Sequence, residues 1–144
     1  MRYWIGTVLA GCLALPAMAL PATLVLPGGQ EVVLPAGALS GVSNLATPGL
    51  RLLLNEVTDQ RCPSVYDCYW EGLIRAVILV NADAPGAQYI VLCNMCEDGR
   101  REAVVAGYRV SLDRLEPAVV VIEQLGRGAV LADYTLVVTV GSEP

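Results

Sequence analysis

The chain has 144 residues with 14 Asp plus Glu against nine Arg, a net charge of −5, and no Lys, His or Phe. Without histidine there is no Ser-His-Asp or Cys-His catalysis and no imidazole metal site; without lysine there is no Schiff-base or lysine-base mechanism. The acidic balance makes nucleic acid an unsuitable partner.

Met1-Arg2 supplies one positive charge, Tyr3 to Leu15 form an almost unbroken apolar stretch, and Ala17-Met18-Ala19 has the small-x-small form read by a signal peptidase. The stretch is too short for a permanent anchor and lacks the polar face of an amphipathic domain helix. Residues 1–19 are therefore predicted to be a cleaved signal peptide. Leu9-Ala10-Gly11-Cys12 also has the form of a lipobox, in which an acylated Cys12 would become the first mature residue of a tethered lipoprotein. The expected location is the periplasm or the exterior, with membrane attachment only through Cys12. Removing 19 residues leaves 125, residues 20–144, the size of a single domain.

Short apolar or alternating runs separated by turn residues follow, with no run of helical periodicity. Strands are expected at Thr23 to Leu26, Gln30 to Leu34, Leu50 to Thr58, Leu73 to Asn81, Gln88 to Cys93, Glu102 to Leu112, Ala118 to Glu123 and Tyr134 to Val140. Eight such runs predict an all-β fold, a single β-sandwich of immunoglobulin-like or related Greek-key type. Pro27-Gly28-Gly29, Asp83-Ala84-Pro85-Gly86 and Glu97-Asp98-Gly99-Arg100 have the composition of hairpin turns. Residues 35–49 form the longest stretch without a strand pattern, a surface loop with room for a helical turn at Ser43 to Ala46. Tyr108, Val110 and Leu112 alternate with Arg109, Ser111 and Asp113, as in a strand with one wet face, and Tyr134, Leu136 and Val138 repeat the pattern. Ala76 to Val80 and Ala118 to Ile122 are apolar on both faces, the mark of strands in mid-sandwich.

The most specific segment is Arg61-Cys62-Pro63-Ser64-Val65-Tyr66-Asp67-Cys68-Tyr69-Trp70-Glu71-Gly72. Two cysteines six apart describe a compact loop leading into a strand, and in an oxidising compartment such a pair is expected as a disulfide, contributing about 2 kcal/mol. Trp70 is expected to pack on that disulfide in the core, as in immunoglobulin domains; the competing reading is an exposed ring that stacks on a sugar. Tyr66, Asp67, Tyr69 and Glu71 are the candidates for an exposed binding surface. Asp59, Asp67 and Glu71 flank the loop and could bind calcium or act as an acid and base pair, although their spacing does not match an EF-hand.

From Glu56 to Gly72 the chain resembles small exported bacterial proteins and lipoproteins that carry a motif close to acidic-Ser-Arg-Cys-Pro, a few residues, then Cys-x-Trp-x-Gly. Looser likeness extends to the Tyr-x-Val-x-Leu pattern at Tyr108 and to Asp133-Tyr134. The resemblance implies an exported single domain with Cys62 paired to Cys68, and it implies no activity. Gln60 stands where a serine is usual and Glu71 where a small residue is usual.

Cys93-Asn94-Met95-Cys96 has three readings: a local Cys93–Cys96 disulfide, a four-cysteine zinc site with Cys62 and Cys68, or a redox-active Cys-x-x-Cys, which would need a helix N-terminus to lower a thiol pKa. Crossed pairings also stay open, since four cysteines allow three connectivities. Glu97, Asp98, Arg100, Arg101 and Glu102 are expected at a solvated hairpin tip. No residue is assigned a catalytic or metal-ligating role, and no cofactor is expected. The first functional expectation is a non-enzymatic binding or structural module of the cell envelope whose partner is another envelope protein or a small ligand. The alternatives are an envelope thiol-disulfide redox protein using Cys93 and Cys96, and a carboxylate-based hydrolase with two acids facing one another in a cleft.

Overall fold

A computed structural model of the chain describes residues 20–39, 49–81, 86–97 and 100–143. The signal peptide expected at residues 1–19 with Cys12, the helical turn expected at Ser43 to Ala46, and parts of the turns expected at Asp83-Ala84-Pro85 and Asp98-Gly99 lie outside these residues. Among the described residues eight strands form: β1 (Ala22–Pro27), β2 (Glu31–Leu34), β3 (Leu50–Arg61), β4 (Gly72–Val80), β5 (Gln88–Cys93), β6 (Glu102–Val105), β7 (Tyr108–Glu116) and β8 (Thr135–Ser142), with a short helix α1 (Val119–Glu123) and a 3-10 turn (Leu131–Asp133) between β7 and β8. They make two four-stranded antiparallel sheets, ordered β1-β8-β7-β6 and β2-β3-β4-β5, a small β-sandwich. β2 to β5 form a meander, and β6 to β8 form another with β1 added beside β8. No helix among the described residues is long and apolar enough to cross a membrane.

The inward faces follow the alternation read from sequence. Leu50, Leu52 and Leu54 of β3, Ala76, Ile78 and Val80 of β4, Tyr108, Val110 and Leu112 of β7, and Leu136, Val138 and Val140 of β8 are all buried. The outer side chains Val77 and Leu79 of β4 are only half-buried.

Three expectations are corrected. Glu102 to Leu112 is two strands, because Ala106 and Gly107 both take positive φ (51° and 78°) and fold a two-residue turn between β6 and β7. Ala118 to Glu123 is helical at Val119–Glu123, with Val120 and Val121 exposed. The sheet that β7 leaves has no vacant partner next to it, since β7 already pairs with both β6 and β8; the segment satisfies its backbone locally instead, Val121 N–H and Ile122 N–H both donating to Ala118 O. Pro27-Gly28-Gly29 crosses between sheets and is not a hairpin, for β1 and β2 belong to different sheets; β5 and β6 likewise belong to different sheets, so the chain crosses a second time between them.

Those two crossings tie the sandwich at opposite edges. Gly28 N–H donates to Tyr134 O (2.9 Å) and Gly29 N–H to Leu54 O (3.0 Å), while across the molecule Cys93 N–H donates to Arg100 O (3.0 Å). A Cβ at Gly28 would overlap the Leu131 carbonyl, so only glycine admits this approach. The β7–β8 connection is pinned by Asp133, which accepts from Arg127 (2.7 and 2.8 Å) and from Val130 N–H (2.7 Å). These bonds hold its carboxyl down at about 2.

Candidate functional site

The residues singled out by the sequence gather at one end of the sandwich, and a β-bulge puts them there. Between Leu54 and Glu56 the β3–β4 register shifts by one residue. Because side chains alternate with a period of two, the shift moves the inward set from Leu50, Leu52 and Leu54 to Val57, Asp59 and Arg61. Asp59 and Arg61 thereby turn inward at the rim of the core, their side chains only 9% and 12% exposed.

Arg61 is a clamp. Its guanidinium grips both Asp59 carboxylate oxygens (2.7 and 2.8 Å) and donates across the sandwich to the carbonyls of Leu115 (3.0 Å) and Pro117 (2.9 Å), joining the end of β3 to the end of β7. Burial pushes the Asp59 carboxyl up, but the hydrogen bonds and charge of Arg61, with a further bond from the Tyr134 hydroxyl, hold it below its ordinary value. Burial, then the Asp59 carboxylate, push the Tyr134 hydroxyl up. Asp59 is therefore a structural counter-ion, which leaves it unsuited to the calcium or acid-base roles weighed from sequence.

Beyond Arg61 the chain leaves the sheet and closes on itself. Cys62 and Cys68 form a disulfide (Cα–Cα 6.0 Å) and Cys93 and Cys96 form another (5.6 Å). Both are local, so neither the crossed pairings nor the four-cysteine zinc site is formed, and among the described residues no three His, Cys, Asp or Glu side chains gather as a metal site. Inside the first loop Tyr66 N–H donates to Pro63 O (3.0 Å). Ser64 donates to Glu123 through its backbone N–H (3.0 Å) and its hydroxyl, docking the loop on α1. The return into β4 is made by Gly72, at φ 85°, where a Cβ would collide with Arg61 Cα and Gln60 O. This backbone requirement explains the glycine that ends the motif.

The second disulfide holds Asn94 against the same return. Its side-chain oxygen accepts from Ile74 N–H (2.8 Å) and its amide donates to Gly72 O (2.8 Å), while its own N–H donates to Ile74 O (3.2 Å). Asn94 thus pairs with β4 beyond the end of β5. Cys93 is buried beneath it.

The aromatic side chains of the loop face solvent. Tyr66 is 70% exposed, Tyr69 fully exposed, and Val65 80%. Trp70, expected in the core, is 52% exposed. The Cys62–Cys68 bridge closes a loop outside the sheets and does not span them, so it offers no core surface for an indole to cover. Asp67 and Glu71 are exposed beside these rings, and neither has a hydrogen-bond or ion-pair partner among the described residues.

Next to the loop lies an open groove of about 360 Å³ lined by Arg61, Glu71, Asn94, Arg101, Asp113 and Arg114 among others. Two acids, Glu71 and Asp113, share it. Its cations are largely engaged: Arg61 as above, Arg101 with Leu112 O (3.1 Å) and Asp113 O (3.4 Å), and Arg114 with Glu116 (2.8 Å). Asp113 itself accepts from Thr139 (2.7 Å).

Tyr66, Asp67, Tyr69 and Glu71, the sequence's candidates for a binding surface, are all exposed. Sequence reasoning missed the clamp of Arg61, the pairing of Asn94 and the docking by Glu123. Asp and Arg two apart on a strand share a face, which was a signal for the first; the other two depend on contacts more than 20 residues apart in sequence. The chain finds no match among family models, curated proteins or solved structures.

Proposed function

We propose that the chain is an exported, non-enzymatic binding module of the cell envelope that works through the Cys62–Cys68 loop, related to the small exported proteins whose cysteine motif it resembles. The observation that carries this reading is the exposure of Val65, Tyr66, Tyr69 and Trp70 on one loop held by a disulfide, by Ser64 on Glu123 and by the Arg61 clamp. Large apolar side chains grouped on a braced surface mark contact sites, and bracing reduces the ordering cost of binding. Two disulfides suit an oxidising compartment. The second one serves as a brace in this reading, since its Cys93 sulfur is buried and Asn94 between the two cysteines secures the return into β4.

A photo-crosslinking amino acid in place of Tyr69, in cells that export the protein, is expected to give discrete adducts, and the same group in place of the exposed Tyr89 on β5 none. Equal labelling from both positions, or none from either, would refute the reading. Intact mass of the exported protein is expected to give a chain beginning at Leu20 with both disulfides closed. A chain beginning at an acylated Cys12 would place the module on the membrane.

A further inference from the structure

The loop's charges say what kind of partner it takes. Within the loop and its return to β4, the ionisable side chains besides tyrosine are Arg61, Asp67 and Glu71. Arg61 is spent on Asp59 and two carbonyls and is nearly buried. What faces solvent is Val65, three aromatic rings and two carboxylates that have no hydrogen-bond or ion-pair partner among the described residues. Aromatic faces carry negative electrostatic potential, so rings and carboxylates attract the same thing: a cation carried on an extended apolar stem. Carboxylates are acceptors only, which suits guanidinium and ammonium donors.

Other occupants fit less well. A second copy of this chain brings a net charge of −5 and the same acidic loop, so self-association here sets like charges against each other. An anionic lipid surface is repelled for the same reason. A neutral glycan could stack on Tyr69 and Trp70 but would leave Asp67 and Glu71 without counter-charge.

We propose that the Cys62–Cys68 loop receives a cationic polypeptide segment, whose Arg or Lys side chains lie over Tyr66, Tyr69 and Trp70 and pair with Asp67 and Glu71. This rests on the binding-module reading above and adds the chemistry of the partner. The segment could belong to another envelope protein or be a free basic peptide; the shared feature is closely spaced Arg or Lys side chains with apolar stems, which cover ring faces as their heads reach the carboxylates.

The test is fluorescence anisotropy of a labelled octa-arginine peptide titrated with the oxidised protein purified after export. Cation–π attraction at exposed rings is worth roughly a two- to fivefold gain in affinity per ring, so the Tyr66→Ser/Tyr69→Ser variant, whose charge is unchanged, is expected to bind about tenfold more weakly. Asp67→Asn/Glu71→Gln is expected to bind more weakly as well, and to lose most of the dependence on salt below about 0.15 M. Glu31→Gln/Glu102→Gln, with the same change in net charge away from the loop, is expected to bind nearly as the parent does. If the tyrosine variant binds like the parent, attraction is to net charge alone and the proposal falls. It falls also if a neutral β-glucan such as laminarin, and not octa-arginine, loses affinity with those tyrosines. In either case adducts from position 69 would still uphold the binding module, so the two failures are distinguishable.

Discussion

Replacing Arg61 by Ala tests whether the clamp holds the loop end of the sandwich together. The substitution removes four side-chain hydrogen bonds, two to Asp59 and two to the carbonyls of Leu115 and Pro117. It leaves a nearly buried carboxylate with only the backbone N–H of residue 61 (3.1 Å) and the Tyr134 hydroxyl beside it. Removing one partner of a fully buried ion pair costs about 3–5 kcal/mol, and residual solvent contact at this rim lowers the expectation to about 2–4 kcal/mol. In urea, with a slope of about 1.5 kcal/mol per molar, the midpoint should fall by about 2 M.

The pH dependence gives that prediction its sign. In the parent protein Asp59 is held below its ordinary value of 3.8, so its contribution is present above that value and is lost as pH falls through the lower folded value. Without the guanidinium, burial is opposed only by the residue-61 N–H and the Tyr134 hydroxyl, so the folded value rises and the variant gains less stability than the parent as pH climbs. The gap between parent and variant should therefore be smallest near about pH 3 and widen toward about pH 6. Asp59→Asn on the Arg61→Ala background should recover about 1–2 kcal/mol at neutral pH by removing the unpaired charge. A loss below about 1 kcal/mol, or one equal at acid and neutral pH, would refute the clamp.

Gly72→Ala should destabilise by about 2–4 kcal/mol in the same assay, since it adds a backbone collision to a positive φ, whereas Gly107→Ala, with positive φ but open space around it, should cost only about 1 kcal/mol; equal losses would mean that the collision is relieved. Asn94→Ala should cost about 2 kcal/mol by leaving Gly72 O and Ile74 N–H unpaired, and hydrogen exchange at Ile74 should rise before that of the β4 interior; unchanged protection at Ile74 would show that the Asn94 side chain does not hold the return.

The strands were legible where one face is buried and the period is uninterrupted, as at Tyr108, Val110 and Leu112 or Leu136, Val138 and Val140. They were misread where tertiary context outweighed propensity. Val119 to Ile122 has strong β propensity, yet both neighbours of β7 are taken and the segment helps bridge to β8, so it coils. The hairpin at Ala106-Gly107 was hidden because alanine is an unusual residue at positive φ. At the site, spacing and compartment favoured local disulfides but left the crossed pairings open, and composition marked the tyrosines as candidates for exposure. The position of Trp70 could not, because it depends on whether the Cys62–Cys68 bridge spans the sheets or closes a loop, and the bulge at Asn55 that decides the inward face of Arg61 has no composition signature.

Two of the misreadings at the site, the inward face of Arg61 and the place of Trp70, have one physical source. Had β3 kept its register past Leu54, Asn55, Val57, Asp59 and Arg61 would have stayed on the outer face, and the loop would have left the sheet without a tie to β7. The one-residue shift turns Arg61 inward, where its bonds to Leu115 and Pro117 fasten the loop's base to the opposite sheet. The disulfide then needs only to hold the loop's own shape, and Trp70 is free of any role in joining the sheets. Rings on a base fixed in this way lose little freedom when a partner covers them, so the cost of ordering is met mainly in folding and less of it remains at binding. A rigid fold and a sticky surface are thus compatible within ten residues of sequence, because the charge that could have neutralised the loop's carboxylates is consumed beneath it.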